Sequence, residues 1–75
     1  MTDQTSATDQ TIEDLAVINA PWNKEITLRG VRYDSGLRML RVRIREGRRF
    51  TDLELDAASA AALTKVLDEW FAAQV

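Results

Sequence analysis

GLRMLRVRIREGRRFTDLELD, residues 36–56, is the stretch that decides the fold. Leu40, Val42 and Ile44 alternate with Arg41, Arg43 and Arg45, which is the two-residue period of a strand with one apolar face. Glu46-Gly47 reads as a two-residue turn, after which Thr51, Leu53 and Leu55 take up the alternation again as a second strand. That turn pairs Arg45 with Arg48, Val42 with Thr51 and Leu40 with Leu53, and it sets Asp52 opposite Arg41.

Upstream, a three-residue loop Asp34-Ser35-Gly36 pairs Tyr33 with Leu37, Leu28 with Val42 and Ile26 with Ile44. A shorter loop would oppose Leu28 to Arg43 and turn the wrong face inward. Residues 25 to 55 are therefore expected to form a three-stranded antiparallel meander. One face holds Ile26, Leu28, Gly30, Leu40, Val42, Ile44, Thr51, Leu53 and Leu55. The other holds Thr27, Arg29, Val31, Tyr33, Met39, Arg41, Arg43, Arg45, Phe50, Asp52 and Glu54. Downstream, Asp56 is a good N-cap for a helix over about Ala57 to Ala73. Leu63, Val66, Leu67 and Trp70, with Phe71 at the edge, give that helix an apolar stripe expected to cover the apolar sheet face.

Residues 1–10 (MTDQTSATDQ) carry too little apolar surface to offset the entropy of ordering and read as a disordered tail. Thr11 can then cap a short helix through the N–H of Asp14, with Ile12, Leu15 and Ile18 at helical spacing, and Asn19 and Pro21 ending it. Trp22 follows in a loop. The expected architecture is a single α+β domain over residues 11–75, ordered α-β-β-β-α.

The eight arginines all lie between residues 29 and 49. Residues 24–49 hold nine positive charges against Glu25, Asp34 and Glu46, net +6, while the remainder holds Lys65 against nine carboxylates, net −8; together they give the −2 of the whole chain. A domain this small buries only about 60% of its unfolded surface, so an isolated monomer is marginally stable. Neither Cys nor His occurs in the 75 residues. This removes disulfides, Cys/His zinc sites and His- or Cys-based nucleophilic catalysis, and leaves association with another chain as the usual remedy for a small core. The apolar runs fall short of the roughly 20 residues of a membrane span, and the polar, acidic start is unlike a secretory signal. A cytoplasmic protein is expected.

Asp52, Glu54 and Asp56 alternate and could gather a hard cation through oxygen ligands. Ion pairing with the facing arginines and capping of the helix by Asp56 account for them more simply, and no metal or cofactor is expected. Gly30, Gly36 and Gly47 are scattered and form no phosphate loop. Three readings compete for the arginine face. It is a solvated surface, with Arg43 over Phe50 and exposed ion pairs contributing at most about 1 kcal/mol each. It is a protein-binding face, because Arg, aromatic residues and Met are enriched in interfaces. Or it binds nucleic acid through Arg, Tyr33 and Phe50, a reading weakened by the acidic balance and by Asp52 and Glu54 within the same face. Trp70 is expected in the core, while Trp22 either closes the core or serves as a docking anchor.

The run from Gly36 to Thr51, followed by Leu53-Glu54-Leu55-Asp56 and an Ala-rich helix ending near Trp70, resembles a family of short bacterial proteins of unknown function over about residues 20 to 72. The resemblance implies no activity and gives no residue a role. The meander-plus-helix order also resembles, in topology alone, the unit of PC4-like transcriptional coactivators. The function expected is that of a non-catalytic accessory subunit or regulator. It would bind a larger protein or multicomponent enzyme through Arg29, Tyr33, Met39, Arg41, Arg43, Arg45, Phe50 and Trp22, or pair a strand edge with a partner or a second copy. A small nucleic-acid-binding domain is the alternative, and a membrane partner is not expected.

Overall fold

A computed structural model describes residues 10–74. The chain is α+β: four antiparallel strands, β1 (Gln10–Ala20), β2 (Lys24–Tyr33), β3 (Arg38–Glu46) and β4 (Arg49–Leu55), followed by one helix, α1 (Ala57–Ala73). The strands form one sheet in the order β1-β2-β3-β4. The tail expected over residues 1–10 lies, apart from Gln10, outside the described residues.

The expected N-terminal helix is a strand. Residues 10–20 pair along β2, with Ile12 opposite Val31 and Ile18 opposite Ile26, and the register shifts between Asp14 and Ala16. This bulge is the physical source of the misreading. An extra residue in a two-residue alternation places Ile12, Leu15 and Ile18 three apart, which imitates helical spacing. Thr11, Ile12, Val17 and Ile18 are β-branched and suit a pleated surface. Glu13 and Asp14, read as acids of a helix start, fall on opposite faces: Glu13 sits by Gly30 and Asp14 pairs with Arg29.

The β2–β3 hairpin follows the expected register, with Leu28 opposite Val42 and Ile26 opposite Ile44. Its loop is closed by Gly36 N–H donating to Tyr33 C=O at 2.8 Å and Tyr33 N–H donating to Leu37 C=O at 2.9 Å, with Gly36 at φ 95°. The β3–β4 hairpin does not follow it. Glu46 opposes Arg49, so the turn is Gly47-Arg48, and Val42 meets Leu53, Leu40 meets Leu55 and Arg43 meets Asp52. Gly47 takes φ 65° and Arg48 does not turn positive. A turn with positive φ on its first central residue alone asks for Gly at that position, which decides the register.

Asp56 caps α1 by accepting from Ser59 N–H at 2.7 Å, and the resulting hydrogen bond holds its carboxyl below the usual carboxylate range. α1 does not cover the apolar sheet face. It meets the sheet mainly at β3 and β4, and Leu63, Val66, Leu67, Trp70 and Phe71 are 46–65% exposed. The link is the cause, for Asp56 alone, in an extended conformation, joins β4 to the helix. A strand-to-helix reversal ordinarily takes about two to six residues. The longest dimension of the molecule is 48 Å. The radius of gyration is 14.7 Å, whereas a compact chain of this size has about 11 Å.

Among the described residues only Val31 is fully buried, at 2% exposure, and it lies on the arginine face between Ile12 and Met39. No helix among them is long and apolar enough to cross a membrane.

Candidate protein-binding surface

Alternation along β2, β3 and β4 brings Arg29, Tyr33, Met39, Arg41, Arg43, Arg45 and Phe50 to one face, and antiparallel pairing sets carboxylates among them. β1 adds Asp14 and Gln10 to that face opposite Arg29 and Tyr33.

Every arginine of this face has an acidic partner. Arg43 grips Asp52 with two bonds, Nε to Oδ1 at 2.7 Å and Nη2 to Oδ2 at 2.9 Å. Arg41 Nε donates to Glu54 Oε2 at 2.8 Å, and its Nη2 reaches Gln10 Oε1 at 3.3 Å. Arg29 Nε donates to Asp14 Oδ1 at 2.9 Å. Arg45 and Glu25 are looser, at 3.6 Å. Asp52 therefore binds Arg43 and Glu54 binds Arg41, each one alternation along from the pairing that the Glu46-Gly47 turn implies. Four arginines balanced by Asp14, Glu25, Asp52 and Glu54 leave the face with no net charge.

The other oxygen of Glu54 accepts from Tyr33 Oη at 2.7 Å, so a three-residue network crosses β2, β3 and β4. The Tyr33 hydroxyl, with Arg41 beside it, holds the Glu54 carboxyl below the usual carboxylate range, and the bond to Glu54 raises Tyr33 in return. Asp52 is likewise lowered by its bond to Arg43. The Arg43 guanidinium carbon stands 5.3 Å from the centre of the Phe50 ring, within cation–π range. Asp52 and Glu54 each engage both oxygens in hydrogen bonds, and Asp56 gives one oxygen to the cap of α1.

Trp22 stands apart from the face but near its end. It is 86% exposed at the tip of the β1–β2 hairpin, with φ 61°, followed by Asn23 at φ 60°. Lys24 opposes Glu46 and Glu46 opposes Arg49, so the tips of the two outer hairpins lie at one end of the sheet. Trp22 thus shares that end with Arg45 and with Phe50, itself 55% exposed. Met39 is half-buried beside Val31 at the opposite end. The structure consequently separates the expected set into a tightly paired middle, Arg29, Tyr33, Arg41 and Arg43, and an end where Trp22 and Phe50 are exposed and Arg45 is half-buried in its looser pair with Glu25.

Gln10, Asp14 and Glu25 belong to the face and were not singled out from sequence. Two of them lie on β1, where the bulge conceals the alternation that would have revealed them. Glu25 is one residue before Ile26 in β2 and could have been found from that strand's own alternation.

The chain belongs to a family of unknown function, DUF6967, whose pattern matches residues 9–73. No curated protein and no solved structure matches it.

Proposed function

We propose that this protein is a non-catalytic accessory subunit or regulator that docks on a larger protein through the Trp22 end of its arginine face. The observation that carries this reading is Trp22 itself: a large aromatic side chain, 86% exposed, on a residue held at φ 61°. A bulky residue in the left-handed region costs about 1–3 kcal/mol, and such strain tends to persist where function needs it. An exposed Trp at the same end of the sheet as Phe50 and Arg45 has the residue types of an interface hot spot.

The paired arginines have a supporting part. Arg43 is already fixed by Asp52 and lies over Phe50, so the partner meets an ordered ring rather than a free side chain. Arg45, in the longest ion pair of the face, is the arginine most easily redirected to a partner carboxylate. The Tyr33–Glu54–Arg41 network keeps the three strands in register behind the contact. A cysteine-free chain suits a reducing compartment, the cytoplasm.

Nucleic acid is the less supported occupant, because the arginines of the face are neutralised by their own carboxylates. The likeness to PC4-like coactivators extends only to the order of meander and helix. Affinity purification of the native protein, beside Trp22→Ser and Phe50→Ser, tests the proposal. A stoichiometric protein partner that both variants lose and Arg29→Ala retains supports it. A partner held equally by all, or nucleic acid released steeply as salt rises, contradicts it.

A further inference from the structure

We propose that a second copy of this chain covers the apolar sheet face, with α1 of each copy laid across that face of the other about a two-fold axis. The site is on the opposite side of the sheet from the docking face, so each proposal can fail without the other.

One chain carries both halves of an unfinished core. Ile26, Leu28, Leu40, Val42, Ile44 and Leu55 form an apolar face left partly open, and Ile18 and Leu53 on it are 47% and 54% exposed. α1 presents Leu63, Val66, Leu67 and Trp70 at helical spacing, all exposed. Within the chain the two are not joined: Asp56 is the whole link between β4 and the helix, and the apolar stripe of α1 stays exposed. They can meet between chains, because a two-fold contact requires each copy to offer both of the surfaces it needs, and this chain does.

Area favours the same occupant. An aromatic side chain carries about 150–250 Å², and with the aliphatic residues of helix and sheet each copy exposes roughly 700–1,000 Å² of matching apolar surface. Doubled across the axis, this lies within or close to the 1,200–2,000 Å² of a stable interface.

Charge also agrees. The rim of the apolar face holds Lys24, Arg32, Arg38 and Arg49 against Glu13 and Glu46, net +2, whereas α1 holds Lys65 against Asp68 and Glu69, net −1. The last turn of α1 has no basic residue to offset its negative dipole end. Arg32 and Arg38 face each other across β2 and β3, and among the described residues neither has a carboxylate within ion-pair distance. Like charges so placed repel unless an acid comes between them. Beside them Gly30 leaves a hollow of about 390 Å³, bordered by Leu15 and Glu13, open to a side chain from another chain.

Light scattering of the full chain over a dilution series reads the mass, and Trp22→Phe leaves Trp70 as the single tryptophan reporter. The expected result is twice the mass of one chain, with Trp70 emission moving to the red as dilution separates the copies. Val66→Glu, and independently Leu53→Glu on the receiving face, should raise the dissociation constant about 30-fold or more. Two positions on opposite sides of the contact keep the test sound if one variant fails to fold. A monomer at every concentration overturns the proposal, whether a foreign protein covers the face or the helix closes on its own sheet. So does a dimer that tolerates both charges and leaves Trp70 emission unchanged, which is the behaviour of strand-edge pairing.

Discussion

The Glu54 carboxylate accepts from Tyr33 on one oxygen and from Arg41 on the other, and its depressed titration carries a pH dependence. Glu54, Asp52 and Asp56 are all held below the usual carboxylate range. A carboxyl whose folded value lies below its unfolded one adds stability that is present above the unfolded value and is lost as pH falls through the folded one. Denaturant titrations should show stability steady near neutrality and declining once pH drops below about 4. Glu54→Gln should flatten that decline. Tyr33 runs the other way: its value is raised, so its contribution is complete below about pH 10 and lost above it, and Tyr33→Phe should remove the alkaline loss. At Trp22 the φ of 61° opposes its size. Trp22→Asn should stabilise the chain by about 1 kcal/mol, because Asn tolerates the left-handed region, while weakening the partner contact. A variant that loses stability would refute the strain.

At the scale of elements, turn chemistry and link length set what hydrophobic pattern alone leaves open. Gly47 holds φ 65°, and Gly47→Ala should cost about 1–2 kcal/mol of stability in a denaturant titration. Gly30 is different, since a Cβ there would meet Glu13 and Leu15 at the ordinary distances of 3.8 and 3.9 Å. Gly30→Ala should therefore be neutral or stabilising by up to about 1 kcal/mol in the same measurement. β3 and its hairpin with β2 were legible because a one-residue slip reverses the faces, so parity fixes the register. The β3–β4 register was not legible in that way. A slip of two residues preserves both faces, and only the Gly47 turn together with the Arg41–Glu54 and Arg43–Asp52 pairs distinguishes the two. β1 was hidden by its bulge, which converts Ile12, Leu15 and Ile18 into a helical pattern. α1 was plain from its Asp56 cap and apolar stripe, but its direction depends on a one-residue link that periodicity does not report. The arginine face was foreseen as a set of residues; its neutrality depends on Asp14, which lies on that unrecognised strand, and on Glu25.

For the molecule as a whole, two surfaces with different tasks emerge from one sheet. The arginine face is internally paired, with an exposed Trp22 near its end, while the apolar face is partly open and the apolar stripe of α1 is exposed. A small chain without cysteine or histidine gains most by association, and the 14.7 Å radius of gyration shows how far one copy is from a closed core. The most direct measurement is an isotope-filtered NOE experiment on an equimolar mixture of labelled and unlabelled full-length chains. Contacts between Trp70 or Val66 of one copy and Val42 or Leu53 of the other are the result expected. Observing those contacts only within single labelled chains would contradict the account, since the helix would then close on its own sheet.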